Sequence, residues 1–147
     1  MTRAWEQLDE FCHQAAEVVA PTGITIVIEP INPDETNILH LVAEGYALAQ
    51  RVNRPEIQCL CDYYHIERQG ESLNGIGLAA PWLRHAHTAG PNRLCPAPGQ
   101  TQRLYLAALH DAGYDERLSI EAACRDEESA RIGLAHLREL WTEVHGP

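Results

Sequence analysis

The chain contains no lysine: all eleven of its basic residues are arginine, spread over 147 positions. A Schiff-base enzyme needs a lysine amine, and a Walker-type phosphate loop needs a lysine ammonium, so both chemistries are excluded. Positive charge is scarce altogether. Against 21 acidic residues the formal net charge is −10, which opposes a nucleic-acid binder, because such proteins displace counterions with cations. Long apolar runs are missing as well: none approaches the 18 residues of a membrane span, and no charged-then-apolar leader opens the chain. The expectation is a soluble, cytoplasmic protein with neither membrane nor nucleic-acid partners. No two cysteines stand in C-x-x-C spacing, and five is an odd number. Cys59 and Cys61, two apart on a presumed strand, share a face but diverge too far to bridge each other. Buried, reduced thiols are therefore expected.

What is present has the balance of an ordinary globular domain, 45 % hydrophobic and 22 % charged, with length enough for one sizeable core. A helical stripe of Trp5, Leu8, Phe11, Ala15 and Val18 or Val19 opens the chain and stops at Pro21-Thr-Gly23. A strand is expected at about 24–29, then a loop from Pro30 to Glu35. A second helix should begin near Thr36, whose hydroxyl would cap it, with Leu39, Val42, Tyr46, Ala49 and Val52 as its stripe. Strands are expected again at 57–62, 83–87 and 117–121. Between and after them come a weak, glycine-containing helix at 71–79, a Pro/Gly-rich loop at 88–100, and helices at 101–112 and 127–143. A helix followed by four strand–helix repeats is a parallel α/β pattern, treated as one domain over 1–147.

Each apolar run ends on a residue able to bind a divalent metal: Glu29, Asp62, His87 and Glu121. On every strand that residue has the parity opposite to the Ile, Leu and Cys side chains, so the four point away from the helices, inward as in a barrel. The C-terminal ends of parallel strands are where α/β folds place their chemistry. Three carboxylates and one imidazole suit Mn²⁺, Mg²⁺ or Co²⁺ better than a structural zinc. Such a metal polarises a carbonyl and holds a developing enediolate, and a carboxylate on either side of the bound carbon removes and returns a proton. His65, just past the second strand, reads alone as a surface or packing residue. Arg93, in the loop after the third, reads by default as a solvent-exposed arginine, the alternative being a guanidinium that reaches an anionic or hydroxylated substrate. His85 shares the parity of His87 and reads as a satisfied core histidine. His13, His40, His110, His136 and His145 fall on helical stretches without ligand spacing.

The segments Ile28-Glu-Pro-Ile-Asn32, Asp62-Tyr-Tyr-His65, His85-Ala-His87 with Arg93, and Tyr114 through Ser119-Ile-Glu121 resemble the sugar phosphate isomerase/epimerase superfamily. This is the xylose isomerase-like TIM-barrel group, which includes hydroxypyruvate isomerase and ketose 3-epimerases. The resemblance implies that Glu29, Asp62, His87 and Glu121 are the metal ligands, with Mn²⁺ favoured. It implies that Glu29 and Glu121 double as the acid/base pair on opposite faces of the substrate, and that Glu35, His65 and Arg93 contact substrate oxygens. The family barrel has eight strands and typically ~250 residues; this chain matches strands five to eight and the helix before them. Such a half barrel implies one of three outcomes: a complementary N-terminal half as partner, a homodimer, or a truncated reading frame. The implied function is a metal-dependent isomerase or epimerase of a small sugar or hydroxy-carbonyl compound. Alternatives are a non-catalytic or remnant half-barrel subunit binding metal or sugar, and an inosose-type dehydratase. An apurinic endonuclease of the same fold is opposed by the negative charge and by too few ligands.

Overall fold

Hydrophobic alternation dominates this fold, which the computed structural model describes for residues 3–99 and 102–146. Four strands, β1 (Ile26–Ile28), β2 (Ile57–Asp62), β3 (Leu83–Thr88) and β4 (Leu118–Ile120), form one sheet in the order β1-β2-β3-β4, every pair parallel. The helices are α1 (Arg3–Val19), α2 (Val42–Val52), α3 (Tyr63–Gln69), α4 (Asn74–Ala79), α5 (Gln102–Asp111) and α6 (Glu127–His145). Among the described residues no helix is long and apolar enough to cross a membrane.

One face of the sheet meets the helices. Cys61, Leu83 and Ala86 pack there with Ile66, Ile76, Tyr105, Leu106 and Leu109. Ile57 packs with Cys12, Ala16, Leu48 and Val52 under α1 and α2. Because side chains alternate along a strand, the other face receives Gln58, Leu60 and Asp62 of β2. The pairing Cys59↔Leu83 then Leu60↔His85 skips Arg84, a bulge; it gives His85 and His87 the parity of Asp62 despite the extra residue. Asp62 pairs with His87, and His87 with Ser119, so the strand ends lie level.

Several boundaries differ from expectation. Helix α2 begins at Val42 rather than near Thr36. Residues 30–41 form a loop closed by Ile31 N–H to the Leu39 carbonyl at 2.9 Å, with Leu39 at φ +58°, and this left-handed residue interrupts any helix. Thr36 caps nothing. The Glu44 carboxylate instead accepts the backbone N–H groups of His40 and Leu41 at 2.7 and 3.1 Å, and His40 itself lies in that loop rather than on a helix. The helix α3 was not anticipated. On α1 the buried stripe is Trp5, Leu8, Cys12 and Ala16, whereas Phe11 and Val18 point outward, 63 and 75 % exposed. Gly45 marks where α2 presses on the first strand's exit: a Cβ there would stand 2.7 Å from Pro30 Cγ and 3.1 Å from Cys59 Sγ.

The cysteine expectation holds for three residues and fails for two. Cys12, Cys59 and Cys61 are free and buried, but Cys95 and Cys124 are joined in a disulfide. The loops after β3 and β4 meet in a parallel bridge between Leu94 and Ala123, which sets the next residue of each, Cys95 and Cys124, side by side.

Candidate metal centre

Glu29, Asp62, His87 and Glu121 follow or end the four strands, and each offers one ligand-type atom within 4.8 Å of the other three. Asp62 divides its two oxygens between tasks. Oδ1 caps α3 by accepting the Tyr64 N–H at 2.8 Å. Oδ2 turns to the cluster, 3.9 Å from His65 Nε2 and 3.8 Å from Arg93 Nη2. His87 Nδ1 sits 3.5 Å from both Glu29 Oε1 and Glu121 Oε2.

Burial without partners is the property that matters here. Among the described residues, Glu29 Oε1, Asp62 Oδ2 and His87 Nδ1 are buried and have no hydrogen-bond partner. Orphaned buried polar atoms are costly and uncommon, and three converging on one point are what a cation's ligands look like before the cation is added. The donor set, oxygen-rich with one imidazole, fits a divalent metal.

The electrostatics agree. Burial pushes the Asp62 carboxyl up to about 7; the Tyr64 N–H opposes this, while the neighbouring Glu121 and Glu29 carboxylates add to it. Contact with Glu29 raises the His87 imidazole, against the effect of burial, and the Glu29, Glu121 and Asp62 charges add to the rise. Burial works to raise the Glu121 carboxyl, but contact with Asp62 and Arg93 and the Arg93 and His87 charges outweigh it and hold Glu121 below the usual range. The group as a whole is short of positive charge.

Beside the cluster, Glu35, His65 and Arg93 form a connected row. Arg93 Nη2 donates to Glu121 Oε2 at 2.9 Å and lies 3.2 Å from His65 Nε2, and Nη1 donates to Glu35 Oε2 at 3.3 Å. Its guanidinium also stacks over the Tyr64 ring, 4.8 Å from the centroid. Burial, then the Arg93 charge, lowers the His65 imidazole. The structure thus brings all seven residues singled out from the sequence into one neighbourhood. His85 lies one level down the strand, bonded to Ser119 Oγ at 3.0 Å, with its ring edge-on to His87 at 4.9 Å between centroids.

Two contributors carried no role in the sequence reading. Asn32, fully buried, gives its backbone N–H to His65 Nδ1 at 3.2 Å and its amide to Glu35 Oε1 at 2.8 Å, so it sets both residues. Its place in the Glu-Pro-Ile-Asn segment was the available signal. Tyr64, which supports Arg93 by stacking, stood in the Asp62-Tyr-Tyr-His65 segment, a signal of the same kind.

Residues 2–140 match the family described as Xylose isomerase-like TIM barrel. The chain is 27 % identical over 123 residues to a D-psicose 3-epimerase of Ruminiclostridium cellulolyticum, covering 82 % of this chain and 42 % of that protein. It is 31 % identical over 139 residues to a putative hydroxypyruvate isomerase of Homo sapiens, covering 90 % of this chain and 50 % of that protein. A crystal structure of D-psicose 3-epimerase in the presence of D-fructose superposes with a TM-score of 0.85 at 24 % identity, over 96 % of this chain and 58 % of that one. The chain spans half or less of the length of these two curated relatives.

Proposed function

The chain belongs to the xylose isomerase-like TIM barrel family, and from that membership we propose that it supplies the metal-binding and proton-transferring half of a sugar isomerase or epimerase. The substrate class is a small ketose or other hydroxy-carbonyl compound. The observation that carries this reading is the convergence of Glu29, Asp62, His87 and Glu121 with three orphaned buried atoms between them. These four side chains would hold the metal, with Mn²⁺ the leading candidate. When bound, a divalent cation supplies polarisation of a substrate carbonyl and compensation for the charge that develops on its oxygen.

The rest of the work falls to side chains. Glu121 Oε2, kept ionised by Arg93 and His87, accepts a proton from the carbon next to the carbonyl. Glu29 Oε1, on the other side of His87, delivers or receives one at the opposite face. Exchange between two faces of one carbon is epimerisation; return to the neighbouring carbon is isomerisation. Arg93, His65 and Glu35 bind substrate hydroxyls, and Asn32 keeps the last two aimed.

The same reading calls for a partner. Among the described residues, β1 and β4 are each paired on one side only. Beside β4 runs a groove of ≈ 850 Å³ whose apolar walls are Leu118, Ile120, Leu134, Leu137 and Trp141. Phe11, Val18 and Ile24 are exposed towards the other end of the sheet order. A family barrel closes with eight strands, and the occupant we assign to both edges is a complementary four-stranded β/α half. A second copy is disfavoured by charge: it would add three further carboxylates to the same mouth and double a net charge of −10. Light scattering tests this, because a homodimer at twice the 16.4-kDa chain mass would replace the complementary half with a second copy.

Calorimetric titration with Mn²⁺ should show one site on the chain alone, and mixing with the N-terminal half of a D-psicose 3-epimerase should bring solvent deuterium into the C3 position of D-psicose. A chain that takes up no Mn²⁺, Mg²⁺ or Co²⁺ sinks the metal-centre reading outright.

A further inference from the structure

The two loops that carry Arg93 and Glu121 are tied together by one backbone bridge and one disulfide. Leu94 and Ala123 form a parallel bridge outside the strands. Ala123 N–H donates to the Arg93 carbonyl at 2.8 Å, and Gly90 N–H to that of Leu94 at 2.7 Å. One residue further on, Cys95 and Cys124 are covalently joined, with Cα atoms 4.9 Å apart. Helix α6 backs the same turn: a Cβ on Gly133 would stand 2.9 Å from the Pro96 carbonyl oxygen.

This fastening lies where the site is least supported by regular structure. Glu121 follows a three-residue strand at the sheet edge, and its side chain is 44 % exposed against essentially none for Asp62. Asn92 and Arg93 both adopt left-handed backbone, φ +56° and +59°. Two consecutive non-glycine residues in that region persist only where surrounding structure over-determines them. The backbone bridge and the disulfide supply that constraint, and the Arg93 guanidinium it delivers meets Glu121, Glu35 and His65 together.

We propose that the Cys95–Cys124 disulfide is a redox-sensitive positioning strap for this centre: it holds Arg93 against Glu121, so that the oxidised chain presents a pre-formed cation site and the reduced chain a loosened one. The proposal rests on the reading of the centre as a metal site. Cys95 and Cys124 touch neither cation nor substrate; they act through Arg93. Opening the strap needs two thiol equivalents as co-reactant: the S–S bond breaks, two electrons and two protons from one dithiol or two monothiols pass to the two sulfurs as thiols, and the reductant is left as its own disulfide. A compartment kept reducing by small thiols therefore weakens the site, and an oxidising one assembles it.

The test compares the air-oxidised chain, the chain reduced with dithiothreitol and desalted anaerobically, and a Cys95→Ser/Cys124→Ser chain, with Mn²⁺ affinity read by electron paramagnetic resonance. Reduction and double substitution should each weaken Mn²⁺ binding about ten-fold, the low end of what supports behind metal ligands contribute. In an Arg93→Met chain, reduction should still lower the melting temperature but no longer change Mn²⁺ affinity, which separates positioning through Arg93 from mere stabilisation. Equal affinities in the oxidised and reduced chains overturn the strap, as does a full ten-fold loss in the Arg93→Met background or tighter binding after reduction. Amide exchange at Leu94 and Ala123 provides a readout without metal. Faster exchange on reduction supports the strap even if the oxidised chain binds no Mn²⁺, a result that would sink only the metal reading; unchanged exchange overturns the strap itself.

Discussion

The middle of the sheet and its two edges are built differently, although both deliver ligand-type side chains to one cluster. β2 has six residues, all buried, and ends in Asp62, whose carboxylate is enclosed and braced by the start of α3. β1 and β4 have three residues each, all half-buried, and they deliver Glu29 and Glu121 with side chains 25 and 44 % exposed. The enclosed position is rigid because strands flank it on both sides and helices cover it. The edge positions depend on fastenings outside the ladder: the Pro30–Gly45 contact for Glu29 and the strapped loops for Glu121. In this reading the middle contributes permanent geometry and the edges contribute groups whose setting is decided by a partner and by the strap.

The largest expected effects separate the two regions by sign. Asp62→Asn should abolish Mn²⁺ binding at concentrations that saturate the parent chain, yet stabilise the metal-free chain at pH 8 by up to about 4 kcal/mol. The sign follows from burial, which raises the Asp62 carboxyl from 3.8 to about 7 in the folded chain. A raised acid is protonated longer in the folded state, so folding loses stability as pH climbs through that window and keeps it below. Asparagine preserves the cap to Tyr64 and carries no charge to desolvate. Glu121→Gln, on the exposed edge, should weaken Mn²⁺ binding without any such gain in stability. Calorimetry for the metal and urea unfolding at pH 5 and pH 8 check both; a destabilised Asp62→Asn chain at pH 8 would erase the contrast.

Core truncations should grade the same way. Ile57→Ala, at a fully buried β2 position between α1 and α2, should cost about 3–4 kcal/mol in urea unfolding. Ile28→Ala, on half-buried β1, should cost about 1–2 kcal/mol, because part of its surface faces solvent in the chain alone. Equal losses at the two positions would mean that the edge is already covered.

That middle-versus-edge division also explains what could be read from residues alone. Alternation along Ile57-Gln-Cys-Leu-Cys-Asp62 and the apolar spacing of α2 reflect burial against neighbours within the chain, so strands, their parallel order and the convergence of Glu29, Asp62, His87 and Glu121 were visible in advance. Stripes facing nothing in the chain misled. Phe11 and Val18 look like core on α1, and in this chain they are surface. Loop chemistry was hidden for another reason. The left-handed Leu39 that delays α2, the buried Asn32 that aims His65 and Glu35, and the pairing of Cys95 with Cys124 all depend on which segments meet in space. Spacing along one segment carries no trace of that. The extra residue at Arg84 was equally silent, since a bulge leaves alternation intact on either side.

The smallest effect on the isolated chain should be the most informative about the edges. Leu134 lies on α6, 43 % exposed, in the groove beside β4. Leu134→Asp removes little buried surface, so its stability in urea should stay within about 0.5 kcal/mol of the parent, and Mn²⁺ affinity should be unchanged because the residue lies outside the ligand cluster. An aspartate in an apolar groove must be desolvated when that groove is filled, and unpaired burial of a charge is strongly unfavourable. Association with a complementary half should therefore be lost while fold and metal site persist, as read by light scattering on the mixture beside calorimetry on the chain alone. If Leu134→Asp associates as well as the parent, the β4 edge is not where the barrel closes. If it unfolds the chain instead, α6 belongs to the permanent core and the boundary between middle and edge has to be drawn one helix further out.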